Sequence, residues 1–155
     1  PISNAFSIKS NIIINKMQYL YRMNMLGFFS LAMGLVSLRD CSNGKGLFTM
    51  ISQGFSPNPP VPGQDVTLWF YYEVPDGLTV VDGTAKYSFS FNGIPFSPTV
   101  DDLCTQVACP IVPGIYNLSS TSEFPSGISG KIVTTIQWYN GGGALLLCSE
   151  WAEKI

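Results

Sequence analysis

An all-β domain, an immunoglobulin-like sandwich of two antiparallel sheets, is predicted by three features of the sequence. Short β-rich runs alternate with clusters of Gly, Pro, Asn and Asp after residue 41; no stretch there sustains a helical period; and four cysteines stand at both ends of the domain and around one short loop. Six or seven strands in about 115 residues suit two sheets that each bury one face against the other. No internal repeat points to a propeller or solenoid.

The predicted strands are Gly46–Gln53, Asp65–Val74, Thr84–Phe91, Gly114–Ser120, Lys131–Tyr139 and Ala144–Trp151, with a seventh near Leu78–Val81. In Asp65–Val74 one face collects Val66, Leu68, Phe70, Tyr72 and Val74, and the other Thr67, Trp69, Tyr71 and Glu73. Side chains alternate across a strand, so the first set is expected inside. Thr84–Phe91 sets Ala85, Tyr87, Phe89 and Phe91 against Thr84, Lys86, Ser88 and Ser90, and Lys131–Tyr139 sets Ile132, Ile136 and Trp138 against Lys131, Thr135 and Gln137. Gly141–Gly143 supplies a hairpin into a last strand whose Leu145–Leu147 is apolar on both faces. On periodicity alone an aromatic inner face is an ordinary core.

Charged residues make up 12% of the chain against 46% hydrophobic and 13% aromatic, a balance that folds rather than stays disordered. Eight Lys and Arg against ten Asp and Glu leave a net charge of -2 with no basic run, so nucleic acid is not an expected partner. Histidine is absent, which removes the usual general base, the Ser-His and Cys-His nucleophile pairs and the commonest transition-metal ligand. The best catalytic constellations left are Asp101-Asp102 beside Cys104, or Asp76 with Asp82, and acids in loops more often cap turns. Neither catalysis, nor a cofactor, nor a metal is expected. Cys104 and Cys109 lack the paired C-x-x-C spacing of zinc knuckles, so Cys41, Cys104, Cys109 and Cys148 are expected in disulfides, with three pairings open.

Ahead of the domain, residues 17–38 carry Arg22, an apolar stretch from Met25 to Leu38, and Ala32 and Gly34 spaced like a cleavage site. That pattern predicts a signal peptide; the apolar stretch is about 14 residues where a bilayer span needs about 20. Residues 1–16 fit no targeting class and are expected to be upstream or non-native sequence, leaving 41–155 as the domain. A secretory route agrees with disulfides and with the sequon at Asn117, a candidate glycosylation site.

The segment Asn92-Gly93-Ile94-Pro95-Phe96-Ser97-Pro98, followed by Asp102-Leu103-Cys104 and by Cys109-Pro110-Ile111-Val112-Pro113-Gly114-Ile115-Tyr116, resembles the ML lipid-recognition family. Ser56-Pro57-Asn58-Pro59-Pro60-Val61-Pro62-Gly63-Gln64 resembles the proline-rich turn of its phospholipid-transfer branch, and Ser122-Glu123-Phe124-Pro125 the segment before the penultimate strand. The family includes the small Niemann-Pick type C sterol carrier and fungal phosphatidylglycerol/phosphatidylinositol transfer proteins, and the resemblance covers about Cys41 to Ile155. It implies pairing of Cys41 with Cys148 and of Cys104 with Cys109. Many relatives close a third bridge near the first strand, where this chain has Ser42, Asn43 and Gly44.

The resemblance also implies a hydrophobic cavity between the sheets that holds a sterol or a phospholipid of phosphatidylglycerol/phosphatidylinositol type, and transfer of that lipid between membranes. Phe96 and Phe124 fall where the sterol carrier has pocket aromatics, while Ser120 falls where it has an apolar mouth residue. Ile94, Val66, Phe70, Tyr87, Phe89, Ile132 and Trp138 complete the expected lining. The expected protein is a monomer that touches membrane surfaces transiently, outside the cell or in a vacuole- or lysosome-like lumen. The alternative is a lipid-dependent accessory, or a sandwich that binds protein or glycan surfaces without transfer activity.

Overall fold

A computed structural model of the chain describes residues 36–124, 126–127 and 129–154. The strands are β1 (Val36–Asp40), β2 (Thr49–Ser56), β3 (Asp65–Val74), β4 (Gly83–Phe91), β5 (Ile94–Pro95), β6 (Thr99–Asp102), β7 (Gly114–Glu123), β8 (Lys131–Asn140) and β9 (Leu145–Lys154), with a 3-10 turn at Leu103–Thr105. One sheet has the order β1-β9-β8-β4, with β5 and β6 both on the free edge of β4; the other has the order β2-β3-β7. Every strand pairing is antiparallel.

Asp65–Val74 is a strand over its whole expected length, and its five inward residues are all buried. β7 runs on to Glu123, because β3 offers partners as far as Asp65, and β9 runs on to Lys154 opposite Lys131. Leu78–Val81 is not a strand. Val80 and Ile111 instead form an isolated antiparallel bridge, each N–H donating to the other's carbonyl at 2.9 and 2.8 Å, and this sews the loop before β4 to the loop before β7.

The first described strand, β1, lies ahead of Cys41. Val36–Leu38, assigned from sequence to the end of a signal peptide, belong to β1, where Val36 pairs with Glu153 and Leu38 with Trp151. The physical reason is the alternation: Val36 and Leu38 are half-buried while Ser37 and Arg39 face out, Arg39 pairing with Glu150 at 2.7 Å. The remainder of the expected signal peptide, and residues 1–16, lie outside the described residues.

The disulfides are Cys41–Cys148, spanning 107 positions and tying the end of β1 to β9, and Cys104–Cys109, closing the loop after the 3-10 turn. Where relatives are expected to have a third bridge, a hydrogen-bonded turn closes the corner: the Ser42 N–H donates to Asp40 Oδ1 at 2.7 Å and the Lys45 N–H to the Ser42 carbonyl at 3.0 Å. Asn92-Gly93, both at positive φ (50° and 80°), make the tight turn from β4 to β5, as such a two-residue hairpin requires. Asn92 also accepts from the Lys131 N–H through Oδ1 (2.8 Å) and donates its own N–H to the Lys131 carbonyl (2.7 Å), so this hairpin is pinned to the start of β8.

Candidate functional site

The inner faces of the two sheets follow from register. Along the larger sheet the inward rows are Ala85–Trp138–Leu147, Tyr87–Ile136–Ser149, Phe89–Thr134–Trp151–Leu38 and, last, Phe91–Ile132–Glu153–Val36. Facing them lie Tyr72–Tyr116, Phe70–Leu118, Leu68–Ser120 and Val66–Ser122. The two ends of this sandwich differ.

At one end the core is closed. Tyr72 stacks between Phe48 and Tyr116 (centroids 5.5 and 5.4 Å) and meets Trp138 edge-on at 5.7 Å. Leu103, Ile111 and Leu146 fill the space around them without solvent contact. Burial, with Tyr116 adding to it, pushes the Tyr72 hydroxyl far above its ordinary range, and burial with Asp101 nearby does the same to Tyr87. Both phenols stay neutral at any physiological pH.

Towards the other end the continuous core narrows to the side of β2, β3, β9 and β1, where Phe55 and Leu68 belong to it and Val36, Leu38 and Trp151 pack against it. It takes in Val66, Phe70, Tyr87, Phe124 and Trp138, but Ile132, although buried, is not part of it, and neither are the half-buried Phe89, Phe91 and Phe96. Phe89 and Phe96 make their own ring contact at 5.2 Å, and the Phe96 N–H donates to the Phe89 carbonyl at 2.9 Å. Phe124 plugs the end of β7, holding the proline-rich loop through hydrogen bonds with Gly63 (2.8 Å) and Gln64 (2.7 Å).

Of the residues expected to line a cavity, Val66, Phe70, Tyr87, Phe124, Ile132 and Trp138 are buried between the sheets, and Phe89, Phe96 and Ser120 are half-buried. Trp138 and Phe70 sit in the continuous core, well away from the end that opens. Ile94 lies directly opposite Phe91 on the same face but at 66% exposure, so it stands on the rim rather than between the sheets. The inward side of β7 (Tyr116, Leu118, Ser120 and Ser122) is half-buried throughout, the mark of a free sandwich edge. Asn117 is exposed on the outer side of that strand.

Sequence reasoning missed two inward residues at this end. Trp151 stacks on Phe55 of the opposite sheet at 5.6 Å, and Glu153, two positions on, shares its face. Burial raises the Glu153 carboxyl from its ordinary 4.5 to about 7, with a smaller opposing effect from the Trp151 side chain. Carrying the two-residue alternation past Trp151 would have found Glu153.

The loop acids have structural partners: Asp102 caps the 3-10 turn, accepting from the Cys104 N–H at 2.8 Å, and Asp101 lies by Tyr87. Among the described residues no three His, Cys, Asp or Glu cluster to hold a metal ion, and no helix is long and apolar enough to cross a membrane. The two disulfides suit a secreted or lumenal setting.

The two-sheet sandwich has the fold of two solved structures. A Niemann-Pick type C2 protein from Japanese carpenter ant superposes with a TM-score of 0.56 at 12% identity, covering 75% of this chain and 96% of that one. Chicken MD-1 complexed with lipid IVa gives 0.51 at 11% identity, covering 81% and 93%. The ML domain model matches residues 35–155, and the chain belongs to that family. A phosphatidylglycerol/phosphatidylinositol transfer protein of Mycosarcoma maydis is 33% identical over 120 residues, 72% of this chain and 61% of that protein. A relative from Dictyostelium discoideum is 30% identical over 90 residues, 57% of this chain and 58% of its own length. The chain thus spans about three-fifths of the length of the curated relatives it matches.

Proposed function

We propose that this protein binds one lipid between its two sheets and carries it between membranes, the cargo being a sterol or a phospholipid of phosphatidylglycerol/phosphatidylinositol type. The observation that carries the proposal is a corner of the interior: Phe89, Phe91, Phe96 and Ile132, on and beside β4 and β8, are apolar and lie outside the continuous core. An acyl chain or sterol entering there would exchange water for these side chains at about 0.8 kcal/mol per methylene, or roughly 12 kcal/mol gross for a sixteen-carbon chain. Phe96, Phe89, Ile132, Phe124, Val66 and Tyr87 line the slot in this proposal, Ser120 stands at its mouth and Ile94 on its rim, while Phe70 and Trp138 form its floor. The named activity of the Mycosarcoma maydis relative favours the phospholipid, and the polar Ser120 agrees with a headgroup at the mouth.

No chemistry on the lipid is proposed. A chain without histidine, whose loop acids cap a turn and sit beside a tyrosine, offers binding and release instead. The protein acts as a monomer outside the cell or in a vacuole- or lysosome-like lumen, with Asn117 available for glycosylation. Native mass spectrometry of the secreted, oxidised protein, followed by lipid extraction, tests the proposal. A stoichiometric sterol or phospholipid is expected; an empty protein that also takes up no lipid from vesicles would leave a surface-binding sandwich in its place.

A further inference from the structure

The inward row nearest the open end is Phe91, Ile132, Glu153 and Val36, contributed by β4, β8, β9 and β1 in turn. Three are apolar and the fourth is a carboxyl group with only 3% exposure. Its direction follows from Trp151, which shares its face and stacks on the opposite sheet. Glu153 Oε2 and Trp151 Nε1 are both buried without a hydrogen-bond partner. The indole lies close enough to favour the carboxylate slightly, yet the two groups do not satisfy each other. Folded proteins rarely leave buried polar atoms unpaired, and two of complementary character side by side point to a third group between them.

We propose that Glu153 and the Trp151 indole N–H form a hydrogen-bonding station inside the slot that selects lipids bearing a hydroxyl group, an inference that rests on the carrier proposal above. A hydroxyl is both acceptor and donor: its oxygen takes the indole N–H and its own O–H goes to Glu153 Oε2. A hydrocarbon satisfies neither atom, and an ester carbonyl, an acceptor only, satisfies one. The position suits an amphiphile. Glu153 is in the end row, two strands or about 10 Å in from β4, so a lipid whose tail points towards Phe70 and Trp138 keeps its polar group here. The same hydroxyl chemistry is supplied by a sterol or by the glycerol or inositol headgroup of a phospholipid.

The surroundings make the station sensitive to pH. On the inner faces the neighbours of Glu153 are Val36, Ile132 and Trp151, with Phe55 across the slot, and none of them is charged. Lys154 on its own strand, Lys131 on β8 and Arg39 on β1 fall on the outer face, Arg39 held by Glu150; Asp40, at the far end of β1, is exposed. Asp65 and Glu123, at this end of the facing sheet, are exposed anions. With no inward cation among the described residues to hold a carboxylate, Glu153 is neutral in an acidic lumen and ionises around pH 7. The ionised form disfavours an apolar guest and repels an anionic headgroup, so uptake should weaken several-fold between pH 6 and pH 8.5, each of these being about one to one and a half units from that midpoint.

The test uses the full oxidised chain and phosphatidylcholine vesicles doped with one of two matched pairs: cholesterol against its 3-deoxy analogue, and phosphatidylglycerol against phosphatidylmethanol, which has the same charge and no hydroxyl. Wild type is expected to prefer the hydroxyl member of one pair by about tenfold at pH 6, the effect of one well-made hydrogen bond, and that pair names the source of the hydroxyl. Glu153→Val should reduce the preference to within about twofold while still taking up the hydroxyl-free member; Trp151→Phe, which keeps the stack on Phe55, should reduce it in the same direction. Glu153→Gln should keep a preference and lose the pH dependence. A wild type indifferent to the hydroxyl in both pairs, or a Glu153→Val protein with the preference intact, overturns the station and leaves the carrier standing. A wild type that takes up none of the four lipids overturns the carrier proposal and the station with it.

Discussion

The two ends of this sandwich are built from the same residue types and are packed differently. At the closed end Phe48, Tyr72, Tyr116 and Trp138 interlock and Leu103 and Leu146 fill what remains; at the open end Phe89 and Phe96 contact each other and Phe91 pairs with Ile94 on the rim, without joining the core. Aromatic content therefore does not separate a core from a site. What separates them is whether the facing sheet supplies a partner. Tyr72 meets Trp138 edge-on with Tyr116 stacked on it, whereas further along β7 the inward positions are the small Ser120 and Ser122.

Stability should concentrate at the closed end, and the largest expected effect is loss of the bridge anchored there. Replacing Cys41 and Cys148 by Ala releases a loop of 107 positions, worth about 4.7 kcal/mol in the chain-entropy model, while replacing Cys104 and Cys109 should cost about 2 kcal/mol. Denaturant unfolding of the two double variants orders them, and equal losses would mean that the short loop is structurally as important as the long tie. Next in size, Trp138→Ala should cost about 4 kcal/mol, because a fully buried indole is removed from packed neighbours, whereas Phe96→Ala at the open end should cost about 1 kcal/mol or less. Phe96→Ala should instead lower lipid uptake. A Phe96 variant as unstable as the Trp138 variant would erase the distinction between the ends.

The closed end was the more legible of the two in the sequence. Strict alternation in Asp65–Val74 and Thr84–Phe91 placed Phe70, Tyr72, Ala85 and Tyr87 inside, and each is buried. Two features of the opposite end were not legible, for one reason: periodicity reports which face a residue takes, not what lies across from it. Val36 and Leu38 looked like the tail of an apolar leader because a five-residue strand is too short to announce itself within a hydrophobic stretch. Glu153 was passed over because a charged residue marks the expected end of a buried run, and only its pairing with Ile132 and Val36 brings it inside. Ile94 differs from its neighbours: paired with Phe91 and on the same face, it is 66% exposed.

Glu153 also gives the open end its own pH signature. Its folded-state value is raised from 4.5 to about 7, so the native protein holds this proton more tightly than the unfolded chain. The sign follows: stability is unaffected below about pH 4.5, falls as pH rises towards 7, and above that stays lower by roughly 3 kcal/mol. Glu153→Gln should flatten this slope, so that thermal unfolding of the variant changes little between pH 5 and 8, while wild type, whose Glu153 titrates at about 7, loses stability across it. A wild type with no such slope would place the carboxyl in water and the open end in a different geometry.

The smallest expected effect on stability tests the mouth itself. Ser120 is half-buried on the inward side of β7, opposite Leu68 of β3, on the edge strand of its sheet. Because the site is only partly covered, Ser120→Leu should change unfolding free energy by no more than about 0.5 kcal/mol. Its effect should appear in selectivity, since the leucine extends the apolar wall towards the opening and removes a hydroxyl suited to a headgroup. About 1 kcal/mol of added apolar contact corresponds to roughly a fivefold shift in uptake towards cholesterol and away from phosphatidylglycerol, measured on vesicles containing both. If uptake of both lipids is unchanged while Phe96→Ala still lowers it, the lipid passes the Phe89–Phe96 pair without reaching β7, and the mouth lies between β4 and the loop that carries Phe124 rather than along the sandwich edge.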